Sequence, residues 1–281
     1  MAEMNDRGQL ILVAGILLAV LFIALALLVN AAIYTDNVAT RGGDSAGEVL
    51  EYQAGVTDSI GGLIDAENAA ASGGDDFNDV NSSVAGGISE IDAAFGRNNL
   101  RRSASTDITI VNTTEGRLIR ERNANDFESW EANASDVRRF VIDLDTDNMT
   151  TGSPLVVDLD GTELKIINKT GGEVKVNETG GTECTTNATG TVRFDVTGER
   201  LDGATCQFGW PDFDTGSTVG IENGTYAGGS YELTIKSDDD PAWLPSETTR
   251  AVYSANIKLR MDTPDLRYET TVTVAPGEPD V

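Results

Sequence analysis

The sequence predicts an α+β protein with an N-terminal transmembrane helix, a short helical stalk and an antiparallel, β-rich, sandwich-like ectodomain. Three observations carry this prediction. An unbroken apolar run extends from Leu10 to Val29, apolar residues recur at helical spacing between about 45 and 97, and the period changes to two beyond residue 101. The matching domains are a cytoplasmic leader at 1–8, a transmembrane helix at 9–34, a helical stalk with Gly-rich breaks at 35–100, and a glycosylated β-rich ectodomain at 101–281.

The apolar run is long enough to remain on the mature protein. Twenty residues of helix span about 30 Å, the thickness of the bilayer core, whereas the apolar part of a cleaved signal peptide is shorter. The preceding leader, MAEMNDR, is hardly cationic, since Glu3 and Asp6 oppose Arg7. The run therefore predicts a single-pass protein of the cell membrane that contacts lipid through residues 10–29, with a cytoplasmic N-terminus and an extracellular C-terminal domain.

Two helices are predicted between the apolar run and the strands. Ser45 and Glu48 have the spacing of a capping box, and Val80, Val84 and Ile88 form an apolar stripe at steps of four. The Gly pair in TRGGDS predicts a break before the first helix. Such helices can serve as a coiled-coil partner surface, or they can cover the β-sheet that follows.

The remaining chain alternates between apolar and polar residues in short segments. TDITIVN, RRFVIDLD, LVVDLD and SYELTIKS are examples, and turns such as DGT and TGGE separate many of them. Seven or more short strands with regular turns are typical of an antiparallel β-sandwich or barrel.

The charge excludes several functions. A formal net charge of −26 repels phosphate, so nucleic acid is not a predicted partner, and it is typical of a protein adapted to high salt. The chain has no His, which excludes Ser-His and Cys-His catalysis and removes the commonest metal ligand. We therefore predict no catalytic residue, no metal and no cofactor, and a non-enzymatic role. Acidic stretches at 143–148 and 158–161 are either loose Ca²⁺ sites or part of a salt-adapted surface.

Cysteines and sequons indicate export. Cys184 and Cys206 are the only two cysteines, and they are either disulfide-bonded or buried as free thiols; a pair in an exported segment favours the disulfide. Composition alone predicts about three Asn-x-Ser/Thr sequons, yet the chain has more, all beyond the apolar run. The predicted N-glycosylation sites are Asn81, Asn112, Asn133, Asn148, Asn168, Asn177, Asn187 and Asn223.

The N-terminus resembles the class III signals of archaeal type IV pilin-like proteins and archaellins, and the acidity resembles that of proteins from halophilic archaea. The resemblance rests on Arg7-Gly8-Gln9 directly before the apolar run. It implies cleavage between Gly8 and Gln9, after which the apolar helix anchors the protein and then packs in a filament core. The chain departs from the family because it lacks the Gly-Ile-Gly-Thr start of many archaellins, and Val13 stands where many bacterial pilins have Glu.

Two functions are predicted, the first from this resemblance and the second from the apolar run as a plain membrane anchor. The first is a membrane-anchored, pilin-like or pseudopilin structural subunit of the cell surface that assembles with copies of itself or with other pilin-like subunits. The second is an uncleaved, signal-anchored surface protein that binds a sugar or an envelope component and takes no part in a filament.

Overall fold

Two helices and fourteen strands make up the part of the chain that the structure, a computed structural model, describes: residues 47–100, 103–187, 189–237, 245 and 247–277. The helices are α1 (47–70) and α2 (Phe77–Leu100). The strands are β1 (Ser105–Ala124), β2 (Trp130–Asn133), β3 (Asp136–Asp145), β4 (Pro154–Leu159), β5 (Thr162–Lys169), β6 (Glu173–Glu178), β7 (Glu183–Asn187), β8 (Thr191–Asp195), β9 (Arg200–Leu201), β10 (Ala204–Thr205), β11 (Thr218–Glu222), β12 (Gly228–Lys236), β13 (Thr248–Asp262) and β14 (Arg267–Val274).

The strands form two antiparallel sheets that share one apolar core. The larger sheet has the order β10-β9-β8-β3-β12-β1-β13-β14, and the smaller has the order β2-β11-β4-β5-β6-β7. Alternation along β3 directs Phe140 and Ile142 into this core, where Leu155 and Val157 of β4 are also fully buried. The core therefore lies between one face of the eight-stranded sheet and one face of the six-stranded sheet.

The eight-stranded sheet curls because bulges interrupt its register. The pairing leaves one extra residue at Val111 in β1, at Tyr253 in β13 and at Arg138 in β3, and β1 shifts register against β12 between Glu121 and Ala124. Bulges bend a strand and increase its twist, so four register shifts along β3, β1 and β13 curl the sheet into a half-barrel. Gly116 of β1 lets Ile235 of β12 and Tyr253 of β13 lie close to its backbone. A Cβ at this position would lie 2.5 Å from the carbonyl oxygen of Ile235 and 2.9 Å from Cβ of Tyr253.

The two helices cover part of the other face of the eight-stranded sheet. The stripe of Val80, Val84 and Ile88 is buried, and α2 packs against β1 and β13. Gly87 of α2 and Leu63 of α1 bring the helices close, since a Cβ on Gly87 would lie 2.5 Å from the Leu63 side chain. Of the two interpretations of the helical region, the cover for the sheet is the one observed, because apolar stripes gain most by burial against an apolar sheet.

Buried polar groups fasten α1 to the sheet at the Tyr253 bulge. Asn68 donates from Nδ2 to the carbonyl oxygen of Val252 at 2.9 Å and accepts from the Val252 amide at 2.8 Å. Nη1 of Arg138 donates to the carbonyl of Tyr253 at 2.6 Å, and Nη2 donates to Oδ1 of Asp65 at 2.8 Å. The strand β14 pairs with β13 only as far as Ala255, so Asn68 meets backbone groups that a neighbouring strand would otherwise bind.

Burial shapes the titration of this cluster. The pKa of Asp65 is raised because desolvation outweighs the opposing effects of Arg138 and Arg139. Burial likewise lowers the pKa of Arg138, whose side chain is 1% exposed. Arg138 is buried while Asp65 keeps 37% of its side chain accessible, so desolvation offsets part of the attraction between them.

The structure corrects the fold class that the sequence predicts. Strands account for 48% of the described residues, and the predicted simple sandwich with a helical stalk is wrong, because the larger sheet curls into a half-barrel and both helices lie against it. The predicted transmembrane helix at 9–34 and the lipid contact at 10–29 fall on residues outside the described part.

The predicted localisation as a single-pass membrane protein is also corrected. Neither helix that the structure describes has the length and apolarity needed to cross a bilayer.

Candidate functional site

Four arginines lie together on the uncovered part of the eight-stranded sheet. Alternation along β3 and β8 directs Arg139 and Arg193 away from the shared core, and Arg120 and Arg122 of β1 line the same cleft. We call these four residues the arginine face. The face is notable because the chain has only 20 basic residues against 46 acidic ones.

The arginines alternate with acidic residues across the sheet. Arg120 of β1 stands opposite Glu232 of β12, whose carboxylate lies 3.6 Å from Nη1 of Arg139. Arg193 of β8 stands opposite Asp143 of β3 at 3.3 Å. Arg120 also lies 3.7 Å from Glu247, and Arg139 lies 3.8 Å from Asp65. Arg122 makes no salt bridge with any residue that the structure describes, so it is the arginine of the face left for a partner.

The cleft on this face is shallow and polar. Its volume is about 150 Å³, and its apolar floor includes the buried Val141. Burial raises the pKa of Glu121 at its edge. The cleft is lined by Arg120, Glu121, Arg122, Arg139, Val141, Asp143, Arg193, Ser230, Tyr231 and Glu232.

The chemistry of the cleft favours a carboxylate-bearing partner. A guanidinium presents its donors in a planar fork that matches a carboxylate, and it remains charged at any physiological pH. Arg193 is half-exposed, with 53% of its side chain accessible, so it can bind a further carboxylate while Asp143 holds its position.

An acidic surface adjoins the arginine face. It consists of Glu67 in the last turn of α1, Asp75 and Asp76 directly before α2, and Asp79 in the first turn of α2, and we call it the acidic turn. Glu67, Asp75 and Asp79 line a second cleft of about 200 Å³. The Ser72 amide and hydroxyl donate to Asp75 and lower its pKa, so this carboxylate is ionised at neutral pH.

Arg120 joins the two surfaces. Its Nη1 donates to the carbonyl of Ala69 at 3.0 Å, and its Nη2 lies 3.5 Å from the carbonyl of Ala71. Both carbonyls belong to the C-terminal end of α1, where a cation is favourable. The arginine face and the acidic turn therefore lie side by side on one molecule.

The predicted disulfide pair is bonded in the structure. Cys184 and Cys206 are disulfide-linked, with Cα atoms 5.6 Å apart. Cys184 lies in β7, the edge of the six-stranded sheet, and Cys206 follows β10, the edge of the eight-stranded sheet. The bond thus links the two sheets at one end of the shared core. The predicted processing residues Arg7, Gly8 and Gln9 lie outside the described residues.

The predicted glycosylation sites differ in their surroundings. Exposed asparagines are Asn112, Asn133, Asn187 and Asn223, and partly buried ones are Asn81, Asn148 and Asn177. Asn168 is buried, and its Nδ2 donates to the Thr146 carbonyl at 3.1 Å. Nδ2 of Asn148 donates to Asp145 at 2.9 Å.

Carboxylates in the acidic stretches accept hydrogen bonds from backbone amides two or three residues further along. Asp145 accepts from the Asp147 amide, and Asp158 accepts from the Gly161 amide at 2.8 Å. Within the described ranges, no group of three or more acidic or Cys side chains is arranged to hold a metal ion. Asp145 and Asp158 therefore stabilise the turns in which they lie.

Comparison with known proteins gives one match. Residues 4–130 match a family of unknown function, DUF7261. The match covers rather less than half of the chain; it includes Arg120 and Arg122 and ends before Arg139 and Arg193. No curated protein and no solved structure matches the chain. The pilin-like interpretation stays a prediction, because it depends on residues 7–34.

The arginine face was not predicted from the sequence. Its members come from three strands that are distant along the chain, and each one alone has the ordinary spacing of a solvent-facing strand residue. The rarity of basic residues in an acidic chain was the available signal, but only strand order places Arg122 and Arg193 on one cleft, with β3 and β12 between their strands.

Proposed function

We propose that the protein is an exported, non-enzymatic structural subunit whose copies associate through the arginine face of one molecule and the acidic turn of the next. The observation that carries this proposal is the cluster of four arginines, with Arg122 and Arg193 exposed, beside the acidic turn in a chain of net charge −26. Charge complementarity sets the register and choice of partner at an interface.

The arrangement favours a two-fold pair as the smallest assembly. An isologous interface presents the same surface on both subunits, so each region must meet its complement across the axis. Because the arginine face and the acidic turn adjoin at Arg120, a two-fold axis near this residue pairs each surface with its opposite twice.

Export is supported by the covalent chemistry of the chain. A disulfide persists in oxidising compartments outside the cytoplasm, and the bond between Cys184 and Cys206 links the edges of both sheets. The four exposed sequon asparagines are compatible with the same compartment.

High salt would promote this association instead of weakening it. At low ionic strength two copies of net charge −26 repel each other over about 10 Å, whereas at 1 M salt the screening length is about 3 Å. Guanidinium–carboxylate pairs in direct contact are screened much less. The proposal therefore predicts monomers in dilute buffer and dimers at molar salt, the reverse of a simple ionic complex.

Sedimentation velocity of the purified chain from 0.1 to 2 M KCl tests this proposal. Arg122→Glu should abolish the salt-promoted dimer, whereas Arg97→Glu, an equal charge change at an exposed position of α2, should leave it unchanged. Adding Glu67→Arg to Arg122→Glu should restore dimers, because it returns opposite charges to the two surfaces. A monomer at every salt concentration, or a dimer that Arg122→Glu leaves intact, would contradict the proposal.

A further inference from the structure

The asparagine of one sequon is presented in a turn with its side chain unoccupied. Asn223 follows β11, has φ of 57° and is exposed, and its side chain makes no capping hydrogen bond to the short helical turn that it precedes. Asn tolerates this left-handed conformation better than most residues. Thr225, the hydroxyl residue of the sequon, is also exposed.

The turn holds this presentation rigidly. Gly224 between the two sequon residues is buried, and its amide donates to Oγ of Ser129 at 3.0 Å. A Cβ on Gly224 would lie 2.4 Å from the Phe127 carbonyl oxygen, so only Gly fits below the turn. Asn223 therefore points away from a well-packed base.

Asn168 heads a sequon of the same Asn-x-Thr type in opposite surroundings. It is 8% exposed, it lies in β5, and its Nδ2 already donates to the Thr146 carbonyl. Attachment of a sugar at this nitrogen would break the hydrogen bond and place a bulky polar group inside the protein.

We propose that Asn223 carries an N-linked glycan and that Asn168 does not, an inference that rests on the proposed export of the chain. In the reaction, Nδ2 of Asn223 attacks C1 of a glycan carried on a polyprenyl phosphate. The N–C1 bond forms, the bond from C1 to the phosphate oxygen breaks, the polyprenyl phosphate leaves, and the amide nitrogen loses one proton.

Glycopeptide mass spectrometry of the full chain, purified from the organism that makes it, tests the inference. A glycan should be found on the Asn223 peptide and none on the Asn168 peptide. Thr225→Val should remove one glycan from the intact mass while keeping Asn223, and the matched Thr170→Val should remove none.

The outcomes separate this inference from the proposed export. A bare Asn223 in protein whose Cys184 and Cys206 are oxidised would overturn the glycan alone. A bare Asn223 with both cysteines reduced would overturn export as well. A glycan on Asn168 would refute the structural argument even if Asn223 were modified.

Discussion

Replacement of Asn68 by Ala should destabilise the protein by about 2 kcal/mol. Asn68 is 2% exposed and binds both backbone groups of the fully buried Val252. Its removal leaves the Val252 amide without a partner, whereas the carbonyl keeps Nη1 of Arg138 at 3.3 Å. One buried unpaired donor costs about 1–3 kcal/mol, and the better helix propensity of Ala returns up to about 0.7 kcal/mol.

The stability of the Asn68→Asp variant should depend on pH. A carboxylate still accepts from the Val252 amide, but its second oxygen faces the Val252 carbonyl, so at pH 7 this variant should be less stable than Asn68→Ala. Burial favours the protonated acid, which can donate to that carbonyl, so the pKa of the new group is higher in the folded state than in the unfolded state. Stability is then lost as pH rises, by up to about 1.4 kcal/mol per pH unit.

Urea unfolding followed by Trp fluorescence at pH 5 and pH 7 measures both effects. Asn98→Ala, the same substitution at an exposed position of α2, serves as the control and should change the free energy of unfolding by less than about 0.5 kcal/mol. If Asn68→Ala matches this control, or if Asn68→Asp equals the parent protein at pH 7, Asn68 does not replace a strand at the bulge.

Four further predictions concern Asp65, the Cys184–Cys206 disulfide, the glycines of the close contacts and the net charge of the chain. Because folding raises the pKa of Asp65, its contribution to stability is present below about pH 4 and is lost as pH rises through the higher folded value. Asp65→Asn should therefore reduce the pH dependence of the free energy of unfolding, measured in urea between pH 4.5 and 7. An unchanged pH dependence would refute the raised pKa of Asp65. Cys184→Ser should cost about 3 kcal/mol for a separation of 22 residues, and a reductant should then have no further effect on the melting temperature. Gly116→Ala should cost about 1–3 kcal/mol by overpacking against Ile235 and Tyr253. Gly62→Ala, with open space around its Cβ, should stabilise α1 by up to about 1 kcal/mol. Equal effects of the two substitutions on urea unfolding would contradict the tight packing at Gly116. The melting temperature should rise between 0.1 and 2 M KCl, because salt screens repulsion within a chain of charge −26, and a constant value would count against that repulsion.

Local periodicity predicted the elements well. The stripe of Val80, Val84 and Ile88 predicted α2, and the alternation in RRFVIDLD predicted β3 with its apolar residues on one face. Such patterns are set by the repeat of a single element, 3.6 residues in a helix and two in a strand, so they can be read without knowledge of the partner.

Contacts between residues that are distant in sequence could not be predicted in the same way. No local pattern indicates that Asn68 binds Val252, 184 positions away, or that Arg138 becomes the bulged residue of β3. Bulges depend on the register between two strands, and register depends on the packing of both faces. The curled half-barrel, which corrected the predicted sandwich, follows from these bulges.

The sequence by itself determined the acidity, the absence of His, the pair of cysteines, the sequons and the period of most elements, since each of these is a property of composition or of neighbouring residues. Only the tertiary structure decided that the helices cover the sheet, that Asn168 is buried while Asn223 is exposed, and that four arginines share one face. These depend on which strands become neighbours, and the free energy that selects neighbours is summed over the whole core instead of being encoded in any one segment.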